Sequence, residues 1–263
     1  MESALCDGAG ADGLRLIETM RWDGARVVRL DLHMARLASG ARSLGWPCDT
    51  ASVAADVQAA ALRAADLRRA AMQGAAVLGT DGWGADVRAA NVRAAALKGA
   101  DGRGAAGRGA GVQGADGRGA ARLRLTMDAH GVVAVEAGPL PAPAKVWHVG
   151  VADQRLVSGD PWLGIKSTRR KAYDAARGAL AAGLDEAVLL NERGEVCDGT
   201  ITTVFFDSGA GMRTPPLSSG VLPGVLRAEM GLAEEVLNAA DLGQVQLWVG
   251  NSLRGLMRAE FVG

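Results

Sequence analysis

Lysine is scarce in this sequence, and one lysine stands where its amine could act as a nucleophile. The chain contains Lys98, Lys145, Lys166 and Lys171. Lys166 lies in PWLGIKSTRRKAYDAA, a pattern that places it after an apolar strand end and just before a helix. An amine held partly out of water has a lowered pKa and forms Schiff bases with carbonyl compounds. The alternative reading is an ordinary surface lysine at a helix start.

Other residue types that carry catalysis show no motif of their own. The histidines and cysteines have neither metal-ligand spacing nor a disulfide pattern; they are His33, His130, His148, Cys6, Cys48 and Cys197. We expect His33 to pack on a helix face. The GxGxxG at residues 102–107 follows no apolar strand, so it does not predict a phosphate-binding loop. The sequence also lacks a GxSxG nucleophile motif.

The composition argues against several classes of partner. The 263 residues suffice for one large domain or two small ones. Lys and Arg together number 29, as do Asp and Glu, so no net charge attracts nucleic acid or an anionic membrane. No apolar run is long enough to span a membrane, and the first residues do not resemble a signal peptide. We therefore expect a cytoplasmic protein without nucleic-acid or membrane partners.

The first 62 residues predict a hairpin and two helices. Residues 14–30 read as two short strands joined at Asp23-Gly24. Apolar residues at helical spacing predict a helix over 31–46, which Pro47 should stop. Residues 50–62 predict a second, Ala-rich helix.

The region after residue 120 alternates strands and helices. Residues 121–140 predict a hairpin that turns at His130-Gly131, and a Pro-rich connector follows it. Beyond the connector, the pattern predicts a strand over 146–151, a helix over 167–182, strand EAVLLN, a hairpin through Arg193-Gly194, strand TVFFD, a helix from 224 and a final strand VQLWVG.

Residues 55–119 fall into fives, from ADVQA and AALRA to ADGRG. This pattern resembles the pentapeptide-repeat family, whose members form a β-helix with the middle residue of each pentad in the core. The middle position becomes Gly at 82, 102, 107 and 117, where no side chain would fill the core. Two interpretations stay open: a short β-helix, or a flexible Ala/Gly-rich expansion.

Motifs on both sides of these pentads resemble the class IV (fold-type IV) pyridoxal-phosphate enzymes. They are ETMR, LHMARL, KSTRRKAYDAA, VCDGTITTVFF, TPPLSSGVLPG and VGNSLRGL, and they extend over about residues 14–55 and 121–263. The resemblance implies an α+β fold of two domains with the cofactor between them, in a homodimer. The small N-terminal domain would comprise 1–54 and 120–145, interrupted by the pentapeptide-repeat-like insertion 55–119. Residues 146–263 would form the larger cofactor-binding domain.

The resemblance also implies roles for individual residues. Lys166 would hold pyridoxal 5′-phosphate as a Schiff base and move the proton at the substrate α-carbon. Asp198 would pair with the pyridine nitrogen, where the family usually has Glu, and Thr203 stands where it often has Asn. Tyr173 could reach the cofactor 3-hydroxyl, although a packing role is equally open. The phosphate contacts would come from Arg36, the backbone amides of Val225 and Leu226, Asn251 and Ser252.

Two activities of this family, and one alternative outside it, fit these residues. One activity is that of a 4-amino-4-deoxychorismate lyase, which eliminates pyruvate to give 4-aminobenzoate for folate biosynthesis. The other is that of an amino-acid aminotransferase. NSLRGL and the short N-terminus favour the lyase. The alternative is a catalytically impaired scaffold whose repeat acts as a binding module, with Asp198 and Thr203 as signs of decay.

Overall fold

A three-stranded antiparallel sheet forms the centre of the N-terminal part of the protein. The computed structural model of the chain describes residues 13–78, 119–143 and 146–263. Strands β1 (Leu16–Trp22), β2 (Ala121–Met127) and β3 (Val133–Gly138) pair in that order. Alternate side chains point to opposite faces of a strand, so one face collects the apolar residues. These buried residues are Leu16, Met20, Leu123, Leu125 and Met127.

Two helices cover this apolar face. Helix α1 (Leu30–Leu44) matches the predicted helix over 31–46, and it ends at Gly45 in a left-handed conformation rather than at Pro47. Helix α2 (Thr50–Leu78) begins where the Asp49 carboxylate accepts hydrogen bonds from the backbone of Ala51 and Ser52. It continues 16 residues past the predicted end at 62, because Ala has the highest helix propensity of all residues.

The helical course of residues 55–78 corrects the pentapeptide interpretation for this part of the chain. Middle residues of successive pentads lie about 140° apart around an α-helix and cannot share one face. Accordingly, Val57 is buried, whereas Leu62 and Leu67 are 55% and 52% exposed. The buried positions instead follow helical spacing, with Val53, Val57, Ala60 and Ala61 in the core. Pentads from residue 79 to 118 lie outside the described residues.

The two predicted hairpins of the N-terminal part have different outcomes. The hairpin over 121–140 is confirmed as β2 and β3, and Gly131 in its turn has a φ of 76°, which favours glycine. The hairpin over 14–30 is wrong in its second half, where a single bridge joins Trp22 to Val27. The Asp23 carboxylate accepts two backbone hydrogen bonds in the turn, and the chain then enters α1 directly.

Six strands form a closed barrel in the C-terminal part. They are β4 (Val146–Leu156), β5 (Glu186–Asn191), β6 (Val196–Gly199), β7 (Thr203–Asp207), β8 (Gln246–Asn251) and β9 (Gly255–Phe261). Strand β4 runs parallel to β5 and β9, and the other neighbours are antiparallel. Alternate residues fill the interior, including Trp147, Val149, Val188, Phe206 and Val249.

The helices and the last strand of this part correct three predictions. Helix α3 covers Lys171–Gly178 rather than 167–182, and a 3₁₀ turn over Pro161–Gly164 precedes Lys166 instead of a strand. Helix α4 is short, over Val225–Met230. VQLWVG is not the final strand, because β9 pairs with both β8 and β4 and closes the barrel. None of the described helices combines the length and apolar character needed to cross a membrane.

Candidate active site

A cleft of about 790 Å³ separates the N-terminal sheet from one end of the barrel. Strands β1 and β2 line one side, and the segments after the 3₁₀ turn, after β6 and after β8 line the other. The cleft brings together all eight residues assigned from the sequence. These are Arg36, Lys166, Tyr173, Asp198, Val225, Leu226, Asn251 and Ser252.

Lys166 is half-buried in this cleft and is fixed by the first strand. Its carbonyl accepts a hydrogen bond of 2.9 Å from the backbone N–H of Ile17, so the lysine is held beside β1. Burial lowers the pKa of the Lys166 amine to about 8, and the positive charges of Arg36 and Arg170 add to the effect. About a tenth of this amine is therefore neutral and nucleophilic at pH 7, far more than for an ordinary lysine.

Asp198 lies buried at the cleft on β6, opposite Thr203 of β7. Its Oδ2 accepts a hydrogen bond of 2.8 Å from the backbone N–H of Leu222. Its Oδ1 is buried without a hydrogen-bond partner among the described residues. Burial raises the pKa of this carboxyl to about 7, against the opposing effects of the Leu222 hydrogen bond and the Arg227 charge. The free oxygen is thus an acceptor in need of a donor.

Tyr173 presents a second unpartnered polar atom to the same cleft. Its hydroxyl is buried and has no hydrogen-bond partner within the described part of the chain. Burial raises the pKa of this hydroxyl, and the Asp198 charge raises it further. The guanidinium of Arg170 lies 5.6 Å from the centre of the Tyr173 ring. The hydroxyl therefore remains protonated and available to a ligand.

Glu18 anchors the end of the cleft where α1 meets the barrel. Its carboxylate receives Nε and Nη2 of Arg36 at 2.8 and 2.6 Å, a bidentate ion pair. Burial alone would raise the pKa of Glu18, but the Arg36 pair and the His33 hydrogen bond lower it to about 2. Arg36 also reaches the carbonyl of Pro223, at 3.4 Å, next to α4. The guanidinium is thereby held over the start of α4.

His33 continues this network to the turn after β8. Its Nδ1 lies 2.6 Å from Glu18 Oε2, and its Nε2 lies 2.7 Å from Ser252 Oγ. Burial lowers the pKa of His33, against the opposing effect of the Glu18 hydrogen bond. His33 is buried on α1, as the expected packing role requires, but both of its ring nitrogens also make polar contacts that the sequence did not predict.

The turn after β8 is shaped by Asn251. Its side-chain oxygen accepts hydrogen bonds from the backbone of Leu253 and Arg254, and its amide nitrogen donates to the carbonyl of Ile201. These bonds occupy the Asn251 side chain and present Ser252 to the cleft. Val225 and Leu226 form the first turn of α4, where backbone N–H groups have no earlier helical carbonyl to bond.

Glycine is required where α4 approaches the barrel. A Cβ at Gly224 would lie 2.7 Å from Thr203 Oγ1, and one at Gly250 would lie 2.7 Å from the Leu226 side chain. The close approach of these protein atoms leaves no room for a side chain at either position. Thr203 therefore packs under the start of α4.

The mouth of the cleft is strongly cationic. Arg122 and Arg124 project from β2, and neither forms an ion pair with any residue that the structure describes. Further positive side chains line the cleft from the barrel side, namely Arg155, Arg169, Arg170, Lys171 and Arg254. Among the described residues of the lining, the acidic ones are Asp160 and Asp198. Such a surface favours substrates with more than one carboxylate.

Comparison with known proteins gives the family. The model of amino-transferase class IV matches residues 15–260. A Mesorhizobium loti protein, provisionally named an amino-acid aminotransferase, is 36% identical with a TM-score of 0.66, over 95% of this chain and 100% of its own. No curated protein matches. The chain belongs to the class IV aminotransferases, and it is a pyridoxal-phosphate-dependent enzyme.

Two more distant structures share the fold. The 4-amino-4-deoxychorismate lyase of Pseudomonas aeruginosa is 20% identical with a TM-score of 0.62, over 94% of this chain and 82% of its own. A hypothetical aminotransferase of Mycobacterium tuberculosis, with α-ketoglutarate and PMP bound, is 20% identical with a TM-score of 0.65, over 97% of this chain and 83% of its own. At these identities the likeness concerns the fold alone.

The residues of the cleft fit pyridoxal phosphate. Asp198 Oδ1 is a buried acceptor without a donor, as a protonated pyridine nitrogen requires, and the Tyr173 hydroxyl is a buried group without a partner. Lys166 supplies an amine in the same cleft, near enough to Asp198 and Arg36 for both charges to affect its pKa. Among the described residues no cluster of His, Cys, Asp or Glu is arranged to hold a metal ion.

Sequence reasoning missed the part played by Glu18 and His33. Glu18 stands between Leu16 and Met20 on the apolar face of β1, and an acid on such a face needs a buried cationic partner. His33 and Arg36 follow at a three-residue spacing, which places both on one helix face. An acid on the apolar face of a strand, together with a histidine and an arginine on one helix face, was the sequence pattern that could have predicted this network.

Proposed function

We propose that this enzyme is a 4-amino-4-deoxychorismate lyase. The observation that carries the proposal is the cationic mouth of the cleft, because aminodeoxychorismate bears two carboxylates. Arg122 and Arg124 are free to receive them, since neither has an ion-pair partner among the described residues. An aliphatic amino acid would leave these cations without a partner. The NSLRGL motif after β8 supports the same branch.

The proposed roles follow from the contacts in the cleft. Pyridoxal phosphate supplies an aldehyde for amines and a ring that withdraws electrons from bonds at the substrate α-carbon. Lys166 would hold the cofactor through Nζ, and the same amine would move the proton at the substrate α-carbon. Asp198 Oδ1 would accept a hydrogen bond from the protonated ring nitrogen and so keep the proton on that nitrogen. The unpartnered hydroxyl of Tyr173 would donate a hydrogen bond to the ring 3-oxygen.

In this proposal the phosphate would be held by residues of α1, of α4 and of the turn after β8. Arg36 contacts it as a cation held by Glu18, and the first backbone amides of α4, at Val225 and Leu226, donate to it. Ser252 provides the contact from the turn after β8, and Asn251 holds that turn in place.

Product analysis tests the activity. The holoenzyme is incubated with aminodeoxychorismate, and pyruvate and 4-aminobenzoate are measured over time. We expect equal amounts of both, without a requirement for a 2-oxo acid. Formation of neither product, with cofactor bound, would exclude the lyase, and a further lack of reaction with amino acids would support the impaired scaffold. Lys166→Ala gives the background rate.

Substitution in the cationic mouth tests the substrate class. Arg124→Gln should raise the KM for aminodeoxychorismate about tenfold, the loss of one charge-assisted contact of about 1.4 kcal/mol, and leave cofactor affinity unchanged. Arg258→Gln is the matched control, since Arg258 is exposed on β9 and does not line the cleft. Equal KM values for the two variants would argue against a carboxylate site at β2.

An amino-acid aminotransferase is the second candidate. The 36% identical Mesorhizobium protein is provisionally named as one, and that identity extends over nearly all of this chain. The cationic mouth would then favour a dicarboxylic amino donor such as glutamate. Conversion of the bound cofactor to its pyridoxamine form by glutamate alone, with release of 2-oxoglutarate, would support this activity against the lyase.

We also infer a homodimer, supported by the resemblance to the class IV enzymes. Light scattering on the eluting protein should give twice the mass of the chain. A mass equal to one chain in an active preparation would contradict the inference.

A further inference from the structure

A chain of buried hydrogen bonds joins β1, α1 and the turn after β8. Glu18 Oε2 lies 2.6 Å from His33 Nδ1, and His33 Nε2 lies 2.7 Å from Ser252 Oγ. Glu18 and His33 are almost fully buried, and Ser252 is 6% exposed where it meets the cleft. The cleft end at which we place the cofactor phosphate is therefore connected to a buried imidazole through one hydroxyl.

The charges in this chain fix the direction of its hydrogen bonds. Glu18 is ionised and only accepts, because its pKa is lowered to about 2 by Arg36 and His33 against the effect of burial. The proton of neutral His33 therefore sits on Nδ1, and Nε2 is an acceptor. Ser252 must then donate its hydroxyl proton to His33. In this state the hydroxyl has no proton left to offer to the cleft.

The positive charge around this site is already neutralised. Arg36 forms an ion pair with Glu18. Arg29, the residue before α1, forms an ion pair with Glu229 of α4 at 2.6 Å. The groups that act on His33 from the surrounding elements are Glu18 of β1, Arg36 of α1 and Lys166. Of these groups, only Lys166 would offer a phosphate with two negative charges a positive charge that no ion pair neutralises.

We propose that binding of the cofactor phosphate draws one proton from solvent onto Nε2 of His33, which frees the Ser252 hydroxyl to donate to the phosphate. The new Nε2–H donates to Ser252 Oγ, and Nδ1–H stays on Glu18. His33 thereby supplies the missing positive charge without touching the phosphate. It is a positioning residue for Ser252. The inference rests on the proposed location of the phosphate.

Proton uptake on binding tests the inference directly. The probe is pyridoxamine 5′-phosphate, which has no aldehyde and does not condense with Lys166. Titration calorimetry at pH 7.5 in buffers of different ionisation enthalpy gives the number of protons bound, and the phosphate is then largely dianionic, with a second pKa of about 6. We expect uptake approaching one proton per site. Pyridoxamine, which lacks the phosphate, corrects for protons exchanged at the ring and Asp198.

Histidine NMR assigns the proton. The chain has three histidines, and His130 and His148 are exposed, so they serve as internal references. We expect the His33 signal to move to its imidazolium position when pyridoxamine 5′-phosphate binds at pH 7.5, and the phosphorus signal to stay dianionic. A neutral His33 in the complex, or a bound phosphate monoanion, would overturn the inference while leaving the cofactor site in place.

A variant of His33 distinguishes the effect of proton uptake from the effect of its hydrogen bonds. His33→Gln retains groups that bond to Glu18 and Ser252 but cannot take up a proton. We expect it to bind pyridoxamine 5′-phosphate about tenfold more weakly at pH 7 and to lose the proton uptake. Unchanged uptake in His33→Gln would overturn the inference. If the parent protein does not bind the probe, both the proposed phosphate site and the proton-uptake inference are overturned. If the variant does not fold, the NMR spectra of the parent protein alone decide whether His33 takes up the proton.

Discussion

The reactivity of Lys166 comes from its surroundings, and its pH dependence follows from them. Only the neutral amine condenses with an aldehyde, and burial together with Arg36 and Arg170 lowers the Lys166 pKa to about 8. The rate of condensation with pyridoxal should therefore rise about tenfold per pH unit below pH 8 and level off above it. Pyridoxal is used because it lacks the phosphate and isolates the amine. Absorbance measured in a stopped-flow instrument gives the rate.

The positive charge of Arg170 provides a control for the pH dependence of this condensation. Arg170→Gln removes one of the positive charges that act on Lys166, so the inflection should move to higher pH. Lys166→Ala should abolish the reaction. An inflection near 10.5, the ordinary value for lysine, in the parent protein would show that the amine is not desolvated in solution.

Asp198 should matter for turnover more than for cofactor binding. Asp198→Asn keeps a side chain of the same size and an oxygen that can accept from the Leu222 N–H, but it cannot hold the proton on the ring nitrogen. We expect kcat to fall at least tenfold, about 1.4 kcal/mol, with a smaller change in cofactor affinity. Cys197→Ser, at the neighbouring buried position, is the control and should retain kcat. Equal kcat values would exclude a role for the carboxylate.

The single residues of the site were predictable to the extent that a local motif contains them. Lys166, Asp198 and Ser252 each stand in a short characteristic run, and all three line the cleft. The Glu18–His33–Ser252 chain was not predictable in this way, because its partners are 15 and 219 positions apart in the sequence. Only the fold brings them within hydrogen-bond distance.

At the scale of elements, residues of helix α2 distinguish helical packing from packing by the pentad repeat. Val57 is fully buried and Leu62 is 55% exposed, although both occupy the middle of a pentad. Val57→Ala should lower the free energy of unfolding by roughly 1–3 kcal/mol, the effect of a small core cavity. Leu62→Ala should change it by less than about 0.5 kcal/mol. Denaturant unfolding followed by circular dichroism measures both, and equal losses would favour a repeat core.

Elements with a strong local signal were predicted well, and those defined by pairing were not. Helix α1 and the β2–β3 hairpin carry clear periodicity and turn residues, and both are confirmed. Strand β9 was missed because it follows a tight three-residue turn and gains its partners from β4 and β8. The period of five was real in the sequence, but Ala-rich pentads form a helix when a sheet offers them an apolar face.

In the whole molecule, one face of α1 fastens the N-terminal part to the barrel. Arg29, His33 and Arg36 follow one another at helical spacing, and each contacts the barrel side of the cleft. Their partners are Glu229, Ser252 and the carbonyl of Pro223. A ligand at this end of the cleft contacts both parts and should couple their stability.

Thermal unfolding should report this coupling. At one hundred times its Kd, pyridoxal phosphate should stabilise the folded protein by about 2.7 kcal/mol. That corresponds to a rise in Tm of roughly 5–10 °C for a chain of this size. The rise should appear in one cooperative transition, because the ligand contacts both parts. Calorimetry measures it, and Arg29→Gln, which removes the Glu229 ion pair outside the cleft lining, should weaken the coupling.

Unphosphorylated pyridoxal distinguishes the two ends of the cleft in the same experiment. It offers the aldehyde to Lys166 but nothing to Arg36 and Ser252, so its stabilisation should be smaller at equal concentration. Two separate unfolding transitions, with pyridoxal phosphate raising only the Tm of the barrel, would contradict a ligand site that both parts share. An equal shift with pyridoxal would show that the phosphate end contributes nothing to the coupling, and the contacts of α1 would then be structural alone.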